Sequence, residues 1–165
     1  MTGRSCHLYK VILVLSILFF LSGCSHSIQS ASSKNNVGKD DPPLVQVKLD
    51  ESVYTLLQGS FCWGDSRTAS CVDYGTPFEI TEYVEPIKVS RGEKITLSMK
   101  RKPLEHSLTF INLTTKETVE IDLKNNQFKA PTERGLYIIN FYGLWEKDES
   151  NTSGDSSYVL KIVVK

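Results

Sequence analysis

Residues 157–165 constrain the fold more tightly than any other stretch. Tyr158, Leu160, Ile162 and Val164 alternate with more polar positions, and Lys161 and Lys165 stand on the opposite side. A period of two sends successive side chains to opposite faces of an extended chain, so this pattern predicts a half-buried strand. The pattern recurs over 94–100, with Ile95, Leu97 and Met99 inward, and over 107–113, through Leu108 and Phe110. Residues 117–123 repeat it. The longest run, Gly135 to Trp145, carries Tyr137, Ile139, Phe141 and Trp145 in phase, and Gly143 predicts a bulge or bend within it. Shorter candidates are 44–49, 53–57 and pieces around Phe61 and Val72. Helical periodicity is nearly absent. Turn signals separate the runs: Gly75-Thr76-Pro77, Arg91-Gly92-Glu93, Lys102-Pro103, Lys124-Asn125-Asn126, Pro131 to Gly135, and Asn151 to Gly154. Short, regularly spaced strands predict an all-β sandwich or barrel.

The first residues follow a different rule. Arg4 and Lys10 precede an uncharged apolar run from Val11 to Phe20, and small residues then lead to Leu21-Ser22-Gly23-Cys24. The run is shorter than the roughly 20 apolar residues of a spanning helix. A positive start, an apolar middle and a small-residue exit are the three parts of a secretory signal. The Leu-Ser-Gly-Cys box resembles that of bacterial lipoproteins. That resemblance implies a diacylglyceryl group on Cys24, cleavage before it, and a protein fixed to the outer side of the cell membrane. Two or three acyl chains meet the requirement for stable anchoring.

Three segments follow: a signal over 1–23, a lipidated cysteine and tether over 24–43, and a domain over 44–165. Residues 25–43 are rich in Ser, Asn, Lys, Asp and Pro and poor in apolar residues, which predicts a flexible spacer. The chain carries 19 basic and 19 acidic residues, a balance that argues against a nucleic-acid partner. Lys100-Arg101-Lys102, just before Pro103, reads as a solvated turn. Of four cysteines, Cys6 leaves with the signal and Cys24 takes the lipid, so Cys62 and Cys71 remain. Outside the cytoplasm that pair predicts a disulfide. No histidine flanks it to suggest a metal, and its spacing is not that of a redox dithiol.

Ala130 to Tyr137 places a Pro–Gly corner before a Gly-x-Tyr strand start, ahead of the 157–165 strand. Over 87–165 this layout resembles bacterial immunoglobulin-like domains. The resemblance implies an immunoglobulin-like antiparallel β-sandwich, although Cys62 and Cys71 are too close in sequence for the antibody-type intersheet bridge. Gly59-Ser60-Phe61-Cys62-Trp63, Cys71-Val72-Asp73, Ser90-Arg91-Gly92-Glu93 and Gly135-Leu136-Tyr137 are together similar to a family of small lipoproteins from Gram-positive bacilli. That resemblance implies no activity.

Catalytic patterns are missing: there is no nucleophile elbow, no His-Glu-x-x-His and no phosphate loop. Asp148, Glu149 and Asp155 lack calcium-loop spacing. No metal or cofactor is expected. The crosslinked loop is the most site-like region, and Trp63, Asp65, Arg67, Tyr74 and Trp145 are the candidate partner-binding residues, with Trp63 favoured as core. The expectation is a non-enzymatic binding or structural module of the cell envelope, engaging an envelope protein or a wall polymer. The alternative is an inhibitor that presents sandwich-end loops to a secreted hydrolase.

Overall fold

The structure is a computed structural model that describes residues 41–165 apart from Asp148 and Ser150. Eleven strands and one short helix occur in the order β1 (Val45–Leu49), β2 (Ser52–Thr55), β3 (Leu57–Gly64), β4 (Ala69–Val72), α1 (Pro77–Thr81), β5 (Ile87–Val89), β6 (Lys94–Met99), β7 (Glu105–Asn112), β8 (Thr118–Glu120), β9 (Gln127–Lys129), β10 (Gly135–Trp145) and β11 (Ser153–Val164). One sheet runs β2-β1-β6-β9. The other runs β4-β3-β11-β10-β7-β8, with β5 parallel to the end of β11. With β1, β6 and β9 in one layer and β7, β10 and β11 in the other, the strands are distributed as A, B, E and C, F, G are in an immunoglobulin-like sandwich.

The alternating faces predicted from sequence meet between the layers. Val45, Val47, Ile95 and Leu97 come from the smaller sheet, and Leu108, Ile139, Phe141, Trp145, Tyr158 and Ile162 from the larger. Every residue of β10 pairs with β11 in unbroken register. Along that ladder Phe141 and Trp145 pack on Tyr158 at 6.2 and 6.3 Å between ring centres. The Tyr158 hydroxyl donates to the Pro43 carbonyl at 2.6 Å. Pro42 and Pro43, which composition placed in the tether, are buried with the domain. Tyr137 opens β10 as expected, and its hydroxyl donates back to the Glu133 carbonyl at 3.2 Å, a tyrosine corner that fixes the Pro–Gly bend.

Four local expectations change. Gly143 makes no bulge, because β10 keeps its register with both neighbours through it. Its missing side chain makes room for the Trp145 indole, which a Cβ would meet at 2.4 Å. The 117–123 strand shrinks to Thr118–Glu120, yet Ile121 and Leu123 still pack against the core. Ser153 and Gly154 belong to β11 rather than to a turn, and a Cβ on Gly154 would stand 2.0 Å from the Cys62 carbonyl oxygen. The Gly75-Thr76-Pro77 turn opens α1. Thr76 and Glu79 form a reciprocal capping box, with Pro77 in the first turn. This helix lies on the outer face of the larger sheet, where Ile80 covers Ile111, Ile138 and Val159. Lys161 donates to the carbonyls of Thr81 and Glu82 at its C-terminal end.

Burial pushes the Tyr158 hydroxyl up to about 12, above its ordinary value near 10. The folded state therefore holds the proton where the unfolded chain has released it. This contribution to stability is complete below pH 10 and is lost as pH rises through the folded value. Urea unfolding between about pH 10 and about 12 should show stability falling, and Tyr158→Phe should remove that component of the decline.

Candidate functional site

The β3–β4 hairpin lies at one edge of the larger sheet, where two registers converge. Phe61 faces Ser156 on β11 and Cys62 faces Asp155, but Gln58 already faces Tyr158. One extra residue is thus accommodated near Ser60, a β-bulge that bends the strand. The Ser157 hydroxyl donates to the Ser60 carbonyl at 3.1 Å beside it. On the free side Cys62 pairs directly with Cys71, and the two are joined by the predicted disulfide, with Cα atoms 4.1 Å apart. Both half-cystines are exposed, so the bridge ties an edge strand to the sheet instead of joining the two layers.

At the hairpin tip, Asp65 organises the loop. Its carboxylate accepts from the backbone N–H groups of Arg67 and Thr68 at 2.7 and 2.8 Å, and its own N–H donates to the Thr68 carbonyl. The N–H of Arg67 is the main reason the Asp65 carboxyl sits below its ordinary range, with Thr68 next. Asp73 does the same at the hairpin's exit. It accepts from Gly75 N–H at 2.9 Å and from the Ser60 hydroxyl at 2.8 Å, and these bonds lower its carboxyl in that order. Both carboxylates hold their loops in the ionised form, so this ordering is present above the ordinary carboxylate range and is lost as pH falls through the lowered values.

Below the tip, a shallow groove of about 520 Å³ runs along the outer face of the sheet, lined by Ser60, the disulfide, Asp73, Tyr142 and Asp155. Tyr142 is 38% exposed. Desolvation, followed by the charges of Asp155 and Glu105, raises its hydroxyl above the ordinary value. Tyr74 is 55% exposed and lies 6.4 Å from Phe61, ring centre to ring centre.

The five candidate binding residues therefore divide. Asp65, Arg67 and Tyr74 lie on the accessible hairpin and its exit. Trp63 and Trp145 are 3% and 1% exposed and meet edge to face at 5.8 Å, so a partner at this surface would not touch their indoles. Sequence reasoning favoured the core for Trp63 but offered Trp145 as surface. The strand phase that points Tyr137, Ile139 and Phe141 inward carries Trp145 with them. Cys24 and Asp148 lie outside the described residues.

Arg101 was missed. Within the basic triplet read as a solvated turn, Lys100 and Lys102 are exposed, but Arg101 turns back into the protein. Its guanidinium lies 5.2 Å from the Trp63 ring centre. It donates to the Glu146 carbonyl and, at 2.7 Å, to the Thr152 carbonyl, so it pins both ends of the β10–β11 loop. Its own carbonyl accepts from Trp145 Nε1 at 2.9 Å. The five coplanar N–H donors of a guanidinium suit this fork-like task, which a lysine cannot perform. The only sequence signal was the choice of arginine between two lysines.

Among the described residues no set of three His, Cys, Asp or Glu side chains is grouped to hold a metal. No protein-family model, curated protein or solved structure matches the chain.

Reducing the bridge, or Cys62→Ser with Cys71→Ser, should cost about 2–3 kcal/mol of stability on the chain-entropy relation for so short a loop, read as a lower Tm. Arg101→Ala should cost about 1.5–3 kcal/mol, because its hydrogen bonds are charge-assisted and the Thr152 carbonyl it leaves is partly buried. Hydrogen exchange localised to 146–152 would check that assignment.

Proposed function

We propose that this protein is a lipid-anchored binding module held on the extracytoplasmic side of a bacterial cell membrane, where it engages an envelope protein or a wall polymer without catalysis. The carrying observation is the order of features along the chain: a charged start, an apolar run, Leu21-Ser22-Gly23-Cys24, a polar spacer, and a folded domain already buried at Pro42. The disulfide supports the oxidising compartment that this order implies. An exposed, crosslinked hairpin, with Tyr142 lining the shallow groove beside it and Tyr74 exposed at its exit, supports recognition over chemistry. Among the described residues His106 is the one histidine, and it is exposed and stacked on Phe141 at 6.3 Å.

The hairpin tip favours a second reading. Arg67 is presented on a loop held by both the Asp65 hydrogen bonds and the disulfide, a preorganised shape suited to an enzyme cleft. On that reading the partner is a secreted hydrolase and the protein is its inhibitor.

Cys24→Ala should release the protein from the membrane fraction, and mass spectrometry of the native product should find acyl mass on that sulfur. Retention of the variant, or an unmodified Cys24, refutes the anchor. Capture from envelope extract separates the partners. A hydrolase whose activity falls on binding, and recovers with Arg67→Ala, supports the inhibitor; recovery of wall glycan alone supports the binding module.

A further inference from the structure

Register alone defines the outer face of the smaller sheet. Val45, Val47, Leu49, Ile95, Leu97 and Phe128 enter the core, so the positions between them face outward. Lys48, Lys94 and Lys129 occupy that face, and Lys100 continues the β6 alternation just beyond the strand. All four are exposed. None of the four strands of this sheet contains an aspartate or a glutamate. Among the described residues the four lysines form no ion pair and no side-chain hydrogen bond. The nearest acids along β1 and β2 are Asp50 and Glu51, in the turn at one corner.

Two features separate this face from an ordinary solvated one. Lys94 and Lys129 stand directly opposite each other across the strands, an arrangement that destabilises a sheet. The whole chain has equal numbers of acidic and basic residues, so interspersed signs would be the default for any face. A broad face of a single sign instead creates a local positive field.

The chain path selects a partner. The described residues begin at Asp41, and Leu44 leads straight into β1, a strand of this sheet. Sixteen residues lie between Cys24 and Asp41, so covalent geometry keeps Asp41 within roughly 60 Å of the proposed anchor. Lysines spread over three neighbouring strands, and not lined up along one, also suit a planar partner better than a thread-like polymer. We propose that this cationic sheet face docks onto an anionic phospholipid bilayer and lays the domain against the membrane that carries its anchor. The inference rests on the lipid-anchor reading for the membrane's proximity. The contact itself resides in the lysines and is measured without an acyl chain.

Polypeptide 24–165 with Cys24→Ser contains the whole described domain and no lipidation site. It should sediment with phosphatidylglycerol–phosphatidylcholine vesicles, with an affinity on the order of a hundredfold above that for phosphatidylcholine alone. The difference should collapse at high ionic strength. Lys94→Glu with Lys129→Glu should abolish binding while circular dichroism and Tm show a retained fold. The milder Lys48→Gln with Lys100→Gln should weaken it. Lys147→Glu, on the exposed loop after β10, should leave it unchanged. Equal binding to both vesicle types, equal loss in the Lys147 control, or capture of soluble polyglycerol phosphate without vesicle binding would overturn the proposal. Acyl mass on native Cys24 is a separate measurement, so the anchor and the docking face fail independently.

Discussion

The pairing of β10 with β11 is the constraint on which the rest of the domain depends. It is long and uninterrupted, and it lies at the centre of the larger sheet, so both strands have neighbours on either side. Its inner face delivers Phe141, Trp145 and Tyr158 as one aromatic cluster, with no more than 1% of each exposed. Burying side chains of this size supplies a large part of the hydrophobic driving force in a small sandwich. The smaller sheet adds the opposing layer, and the Tyr158–Pro43 hydrogen bond ties the segment that enters β1 to the aromatic cluster.

The surface features are positioned from that centre outward. Trp145 packs on Trp63, which fixes the end of β3 and hence the base of the crosslinked hairpin. Arg101 joins the same cluster from the connection between β6 and β7 and holds both ends of the β10–β11 loop. On the proposed reading the hairpin gains from such support, because ordering that exists before binding is not lost again on binding. The exposed disulfide and the Asp65 and Asp73 carboxylates extend this rigidity into water, where apolar packing is unavailable.

The two outer faces have divergent characters. The larger sheet is covered at one end by α1, and elsewhere displays Tyr142 beside Asp155 and Glu105. The smaller sheet carries lysines. Edge strands β2, β4, β5, β8 and β9 have three or four residues each, whereas the long strands are interior. Short edges offer little template for another chain's backbone, which favours contacts made through faces and loops.

Much of this was legible in one dimension. Alternation is a local property, and it placed Ile95, Leu97, Tyr137, Ile139, Phe141 and Ile162 in the core because a strand's period of two is fixed by covalent geometry. The Cys62–Cys71 bridge followed from spacing and compartment, and Thr76-Pro77-Phe78-Glu79 carried a capping signal that could have announced α1. Tertiary structure decided the remainder. Whether Arg101 meets water or backbone depends on residues more than forty positions away in sequence. Strand phase turns Trp145 inward, but it is sealed there by Trp63, two strands away in the same sheet, and Gly143 is a space for an indole because the β10 ladder runs on unbroken. The lysines of β1, β6 and β9 become one face only when register sets them side by side. Sequence determines which side of each strand is apolar, because that depends on neighbours along the chain. Which surfaces come together depends on contacts between distant segments, and only packing specifies those.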